Sequence, residues 1–377
     1  MSYNAILDSS IMQKGVPATA GSKMLADFIS PIDATVVTRL EAAGVQIVGR
    51  CDVGEFGVDG LFGSSVDGKT GGQVHCLGRT QDSVPVPLSC LLADSEADFI
   101  LCNDYIGAIS LAAAKQGLYY IHPTYGSVSR YGLIPAVSSM DQIGVLCKKP
   151  VVGFEVLKMI TGFDSKDGVM IQRINDKGQM TNDKGQMTNN KEYTADAGTD
   201  EPSPCLKPRK RDSEKYSEIL PQIMQILCCA EIGNNISRYD GIKFGYRAKG
   251  YNGLHELYTK SRTEAFGEDI KLAAVIGAMV LSQENYMRYY DKAMRLRRLI
   301  RDSLEFDKYD VIINDKGQMT NDKGQEKSQT EKWNSFYNLL TLSRLCGLPS
   351  LATPEGVYVA NTGRDDILEA QLLCNMK

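Results

Sequence analysis

Apolar residues recur at helical spacing at Val36, Val37 and Leu40, just after Asp33, a residue type that caps helix N-termini. Gly44 follows as a C-terminal stop, and the short apolar run Val45 to Val48 comes next, so this stretch predicts a helix-to-strand unit. Phe99 to Cys102 and Leu118 to Ile121 read as short buried strands on either side of a helical Ile109 to Lys115. Strand, helix and strand in succession are the rhythm of an α/β fold. Farther along, Tyr286, Tyr289, Ala293, Leu296 and Ile300 step by three and four and predict a helix, with Arg288, Lys292, Arg295 and Arg298 on its other faces. Such a basic face is ordinarily a solvated one.

Two segments break the pattern. NDKGQMTNDKGQ occurs at Asn175 to Gln186 and again at Asn314 to Gln325, each built from a unit rich in Asn, Asp, Lys and Gly. A packed core cannot form from such residues. Two separated copies also fall short of a folded repeat array, which needs adjoining units. Residues 175–215 and 314–328 are therefore expected to be flexible low-complexity insertions in one domain spanning residues 1–377. The first includes the polar stretch Glu192 to Lys215, with the basic cluster Lys207 to Arg211.

Composition narrows the class of protein. With 377 residues, 43% of them hydrophobic, the chain can bury a large core. Its net charge of -4 gives no global positive field, so direct binding of nucleic acid by this chain alone is not expected. No run of eighteen or more apolar residues occurs, and MSYNAILDSSIMQKG lacks the pattern of a signal peptide, which predicts a cytoplasmic protein away from membranes. The ten cysteines contain no CxxC pair, and His75, His122 and His255 are scattered. The cysteines are read as small buried hydrophobes, and the single pair His75-Cys76 makes no metal site. No cofactor is expected. Gly71-Gly72-Gln73 matches a peptide-release motif, but three common residues without supporting context carry no weight.

The run GVPATAGSKMLADFISPIDATVVTRLEAAGVQIVGR, Gly15 to Arg50, is followed by Glu55-Phe56 and Gly63-Ser64-Ser65. Farther on come PTYGSVSRYGLIPAVSSMDQIGVL (Pro123 to Leu146), ISRYDGIKFGYR (Ile236 to Arg247) and FGEDIK (Phe266 to Lys271). In this order the segments resemble the amidase signature family, and within it the A subunits of aminoacyl-tRNA amidotransferases. The resemblance spans most of the chain. Relative to it the N-terminus is shortened and the last stretch, GLPSLATPEGVYVANTGRDDILEAQLL, is abridged. It implies an α/β/α fold with a mixed sheet between helices.

The resemblance also implies amide hydrolysis by a serine nucleophile, a second serine in a cis peptide, and a lysine that relays the proton. A serine hydroxyl is a poor nucleophile until a base takes its proton, and backbone N–H groups must meet the developing oxyanion. At the positions matching these three groups the chain has Leu7, Val84 and Ala108. Leu7 lies in Ala5-Ile6-Leu7-Asp8, where the family has AIKD. Ala108 ends Asp104-Tyr105-Ile106-Gly107-Ala108, where the family has DTGGS. Val84 falls in Asp82-Ser83-Val84-Pro85-Val86-Pro87, whose prolines remove N–H donors and fix φ where glycines would let a substrate approach. The arginine that grips the carboxylate of glutamine has no counterpart in Asp269 to Ala274, and the matching aspartate falls at Tyr337 or Asn338.

These departures predict a catalytically inactive amidase-like protein, a pseudoenzyme acting as a scaffold or accessory subunit, with partners resembling the B or C subunits of the amidotransferase. Tyr239, Asp240, Arg130 and Tyr131 are then structural rather than substrate contacts. The alternative is a working glutamine-dependent amidotransferase or amidase, with the missing groups supplied by a partner or by Ser83, Ser89, Ser110 or Lys115. A third possibility is a decaying sequence with no selected role.

Overall fold

In the computed structural model the described residues are 3–52, 54–62, 73–77, 85–87, 92, 96–170, 208–210, 216, 218–315 and 329–375. Among them, eleven strands form one sheet. In chain order they are β1 (Asn4–Asp8), β2 (Gln46–Asp52), β3 (Gln73–Leu77), β4 (Pro85–Pro87), β5 (Phe99–Asn103), β6 (Tyr119–His122), β7 (Ile143–Cys147), β8 (Pro208–Lys210), β9 (Val311–Asp315), β10 (Ser350–Ala352) and β11 (Gly356–Ala360). Their spatial order is β4-β3-β2-β1-β5-β7-β6-β10-β11-β9-β8. The sheet is mixed: β1 runs parallel to both β2 and β5, while β7 is antiparallel to β5 and β6.

Strands β5 and β7 are buried at every position, as expected of continuous apolar runs covered on both faces. One face carries α1 (Thr35–Ala42), α3 (Pro150–Ile160) and α9 (Asp365–Asn375), whose buried residues join Ala5, Leu7, Phe99 and Leu101 in one apolar cluster. The other carries α2 (Ala108–Lys115), α4 (Leu220–Ile236), α6 (Glu268–Leu281), α7 (Tyr290–Asp302) and α8 (Gln329–Cys346), packed with Ile6, Ile100 and Cys102. A further helix, α5, is Gly253–Ala265. Helices α4 and α6 pack closely because Gly277 lacks a side chain; a Cβ there would lie 2.2 Å from the Cys229 carbonyl oxygen.

Some expected elements shift. Helix α1 begins after Ala34, which offers no side-chain cap; Asp33 instead accepts a hydrogen bond from the Lys14 N–H, tying down the preceding loop. Tyr286 and Tyr289 precede α7, in turns closed by hydrogen bonds to Ser282 and Asn285. Pro208–Lys210, expected within a flexible insertion, forms a strand parallel to β9, and Asn314 and Asp315, expected to open the second insertion, end β9 and pair with β11. Sheet pairing satisfies their backbone groups where composition alone signalled a loop. The rest of both insertions lies outside the described residues.

Candidate functional site

Strands β1, β2 and β5 run in the same direction, so their carboxyl ends gather Asp8, Asp52 and Asn103 at one end of the sheet. Ligands of open α/β sheets bind at such ends. Beyond β5 the chain turns through Asp104-Tyr105-Ile106-Gly107 into α2. Gly107 has φ +92°, and a Cβ added there would meet Leu340 Cβ at 3.0 Å, so both conformation and space call for glycine. Tyr105 is buried and donates its hydroxyl to the Phe56 carbonyl.

Asp104 organises this turn. Its carboxylate accepts from the backbone N–H groups of Gly107, Ile109 and Ser110, closing the N-terminus of α2, and from the Ser110 hydroxyl. Arg344 of α8 completes the shell. Its Nε donates to the Asp104 carbonyl and its Nη2 to the Asp104 carboxylate, both at 3.0 Å. Nη2 also reaches Ser110 Oγ, and Nη1 donates to Ser343 and Ser350. Arg344 also faces His122, which burial and this positive charge hold well below the usual imidazole range.

Ala108 opens α2 with a side chain that has nothing to attack with, packed in the cluster of Ile6, Ile100 and Cys102. Leu7 sits elsewhere. It pairs in register with Leu101 and Arg50, and its side chain joins the opposite cluster with Ala5 and Phe99. Successive side chains of a strand point to opposite faces, so Leu7 and Ala108 lie on different sides of the sheet. Val84 lies outside the described residues.

Beside Ile6, the ionisable side chain that β1 places on the Ala108 side is Asp8, to which no motif in the sequence assigns a role. It pairs with Cys51 of the same cluster, and it accepts a hydrogen bond from Ser10. Burial raises its carboxyl to about 7, against the lowering effect of the Ser10 hydrogen bond. Next to it, Asp52 accepts from Ser9 and Thr19.

The other candidates have structural partners. Ser110 is fully buried and committed to Asp104 and Arg344. Lys115, at the far end of α2, lies over the Trp333 ring. Ser83 and Ser89 lie outside the described residues. Tyr239 stacks on Phe56, and Asp240 accepts from the Ile242 and Lys243 N–H groups to close its turn. Arg130 pairs with Asp167 at 3.0 Å and Lys166 covers the Tyr131 ring; these four residues, with Asp141, line a cavity of about 150 Å³. In the stretch matching the carboxylate-binding arginine, Lys271 pairs with Glu268 on the surface. Tyr337 and Asn338 are half-buried on α8. Among the described residues no group of three His, Cys, Asp or Glu side chains is placed to hold a metal ion.

Segments far apart in the chain meet at Glu55. It accepts from the Ser22 hydroxyl and from the Gly267 N–H at the start of α6, while Phe56 packs on Tyr239 and Phe266. The GSKM, EF, RYDG and FGED stretches therefore build one junction.

Known proteins share this architecture. The Amidase family model matches residues 7–75 and 206–363. The chain is 32% identical over 366 residues to the A subunit of glutamyl-tRNA(Gln) amidotransferase from Agathobacter rectalis, covering 91% of this chain and 72% of that protein. Against the corresponding protein of Lactobacillus acidophilus the identity is 33% over 381 residues, covering 94% and 77%. Among solved structures, the A subunit of glutamyl-tRNA(Gln) amidotransferase from Thermotoga maritima superposes with a TM-score of 0.53 at 21% identity, over 95% of this chain and 79% of that one. Peptide amidase of Stenotrophomonas maltophilia superposes with a TM-score of 0.59 at 16% identity, over 97% and 80%. Those structural likenesses show the shared fold, and the sequence matches give the lineage: the chain belongs to the amidase family.

Proposed function

We propose that this protein is an amidase-family member without the family's serine chemistry, working in the cytoplasm as an accessory or scaffold component beside partners like the B or C subunits of an amidotransferase. The observation that carries the reading is the turn before α2. The resemblance matches Ala108 to the family's nucleophile, and Asp104, Arg344 and Ser110 knit that turn into the core. A lysine placed at Leu7 would face away from it. In serine hydrolases loss of the nucleophile or base alone lowers turnover by about a millionfold. The relatives' names favour a second reading, the A subunit of a glutamine-dependent amidotransferase that works with residues supplied from elsewhere. Ammonia release from glutamine separates the two, measured on the purified chain alone and with co-purified partners. No release above a protein-free blank, with a stoichiometric partner, is the expected result; release abolished by blocking one serine of this chain establishes the second reading.

A further inference from the structure

Between Gly241 and His255 the chain interleaves two kinds of side chain. Ile242, Phe244, Tyr246 and Tyr251 alternate with Lys243, Arg247 and Lys249, and no carboxylate falls among them. Phe244 is 59% exposed, and Ile242, Tyr251, Leu254 and the three cations also face solvent. Cations lie directly on rings here. The Lys23 ammonium sits 4.6 Å from the centre of the Tyr246 ring. The Arg247 guanidinium lies 5.5 Å from the centre of the Tyr251 ring and donates from Nη2 to the Tyr251 hydroxyl. The segment is fastened to its neighbours: Tyr246 N–H donates to the Met24 carbonyl, Ala248 N–H to Ser261 Oγ, and the Lys260 ammonium to the Gly250 carbonyl. A surface ordered beforehand loses less entropy when a ligand docks.

Charge selects the ligand. Of the carboxylates that border the segment, Asp240 is committed to its own turn, Glu256 pairs with Lys260, and Glu264 accepts from the Tyr246 hydroxyl, while Asp27 is exposed. Across residues 23–27 and 238–264, seven lysines and arginines oppose four carboxylates, a local positive field in a chain of net charge -4. Glu268 and Asp269 lie beyond the far end of α5, about 20 Å from Gly253. A lipid surface or an apolar partner calls for a continuous apolar face, which the interleaved cations break. Flat rings alternating with anions match the pattern instead, and a single strand of nucleic acid is built that way. RNA is the form that commonly presents unpaired bases, in its loops, bulges and ends.

We propose that the turn from Gly241 to His255 binds single-stranded RNA, with bases stacked on Phe244 and on the layered pair Arg247 and Tyr251, and phosphates beside Lys243, Arg247 and Lys249. The site acts through this local field although the chain as a whole is acidic, and it holds whether or not the chain hydrolyses amides.

Fluorescence anisotropy of a labelled, mixed-sequence RNA of about twelve nucleotides, titrated with the full chain at several salt concentrations, tests this. The expected result is saturable binding that weakens as salt rises. Phe244→Ala weakens it by roughly 10-fold, as for loss of one stacked base. Lys243→Gln and Lys249→Gln each lower the slope of log affinity against log salt by about 0.7, the value for one phosphate contact on a single strand. Lys158→Gln, at an exposed lysine of α3, changes neither quantity. A duplex of the same sequence binds more weakly, because its bases are already stacked and paired. Since all these positions are exposed, unchanged circular dichroism is expected in every variant. A parent protein that binds no RNA at low salt overturns the proposal. So does binding indifferent to Phe244→Ala, equal affinity for single strand and duplex, or binding to phosphatidylserine vesicles in place of RNA.

Discussion

Arg344 and Asp104 meet across 240 residues of sequence as a doubly hydrogen-bonded ion pair, with side-chain exposures of 0% and 2%. The pair joins α8 to the turn that opens α2. Two charges taken out of water gain little net stability, but removing one partner strands the other. Arg344→Met is therefore expected to destabilise the fold by about 3–5 kcal/mol. Asp104→Asn costs less, because an amide oxygen still caps some α2 N–H groups. The double variant should lose less than the sum of the single losses, and chemical denaturation of the four proteins measures that coupling.

Leu7 and Ala108 respond differently to restoring polar groups. Ala108→Ser adds one hydroxyl at a helix start and is expected to fold with little loss, yet to release no ammonia from glutamine. Leu7→Lys does not rebuild a proton relay. It buries an ammonium among Ala5, Phe99 and Leu101, beside Arg50 in register on the neighbouring strand. An unpaired buried charge next to a like charge should cost several kcal/mol, seen as a fall in denaturation midpoint or in soluble yield. Amide hydrolysis by the Leu7→Lys, Ala108→Ser double variant would contradict the placement of Leu7.

The helix around Val36 to Leu40, the strand at Phe99 to Cys102 and the helix ending at Lys115 were legible because apolar spacing reports burial directly. Arg344 was not: its partner is 240 residues away, and nothing local distinguishes a buried arginine from a solvated one. The facing of Leu7 was equally hidden. Matching a motif gives a position along the chain, whereas the pleat decides which face a side chain takes, and one residue of register reverses it. Asp33 misled for a related reason: a good capping residue one position too early was used to hold the loop at Lys14. Strand β8 escaped notice because Pro, Arg and Lys carry no strand signal and their place in the sheet depends on β9.

Gly277 sets the spacing of α4 and α6. Its absent Cβ would lie 2.2 Å from the Cys229 carbonyl oxygen and 2.9 Å from the Cys229 carbonyl carbon, backbone atoms that cannot swing aside as a side chain can. Gly277→Ala normally gains helix propensity, by roughly 1 kcal/mol. Here the clash is expected to exceed that gain, so the variant should be less stable despite a better helix former. Gly250→Ala provides no such comparison, because its φ of +67° strains any side chain; the appropriate control is Gly233→Ala, inside α4, where an added Cβ would meet nothing closer than 3.7 Å. A Gly277→Ala protein as stable as the parent would show that the two helices do not touch here.

Asp8 makes stability depend on pH in a direction opposite to most carboxylates. Burial raises it from 3.8 to about 7, so the folded protein holds this proton more tightly than the unfolded chain does. The resulting stabilisation is complete below about 3.8 and disappears as pH rises through about 7. The gap corresponds to roughly 4 kcal/mol between the two limits. Asp141 and Asp365, also raised by burial, add slopes of the same sign, while Asp164 and Asp167, held low by hydrogen bonds, contribute the opposite slope at more acid pH. The informative quantity is thus the difference between the parent and Asp8→Asn, which keeps the size of the side chain and a partner for Ser10 but cannot ionise. Near pH 4 the two should be similar in stability. Toward pH 7 and above, Asp8→Asn should become the more stable protein, because the parent alone must bury a carboxylate. Denaturation midpoints at successive pH values provide the check, and parallel curves for the two proteins would mean that Asp8 holds its proton no more tightly in the folded protein than in the unfolded chain.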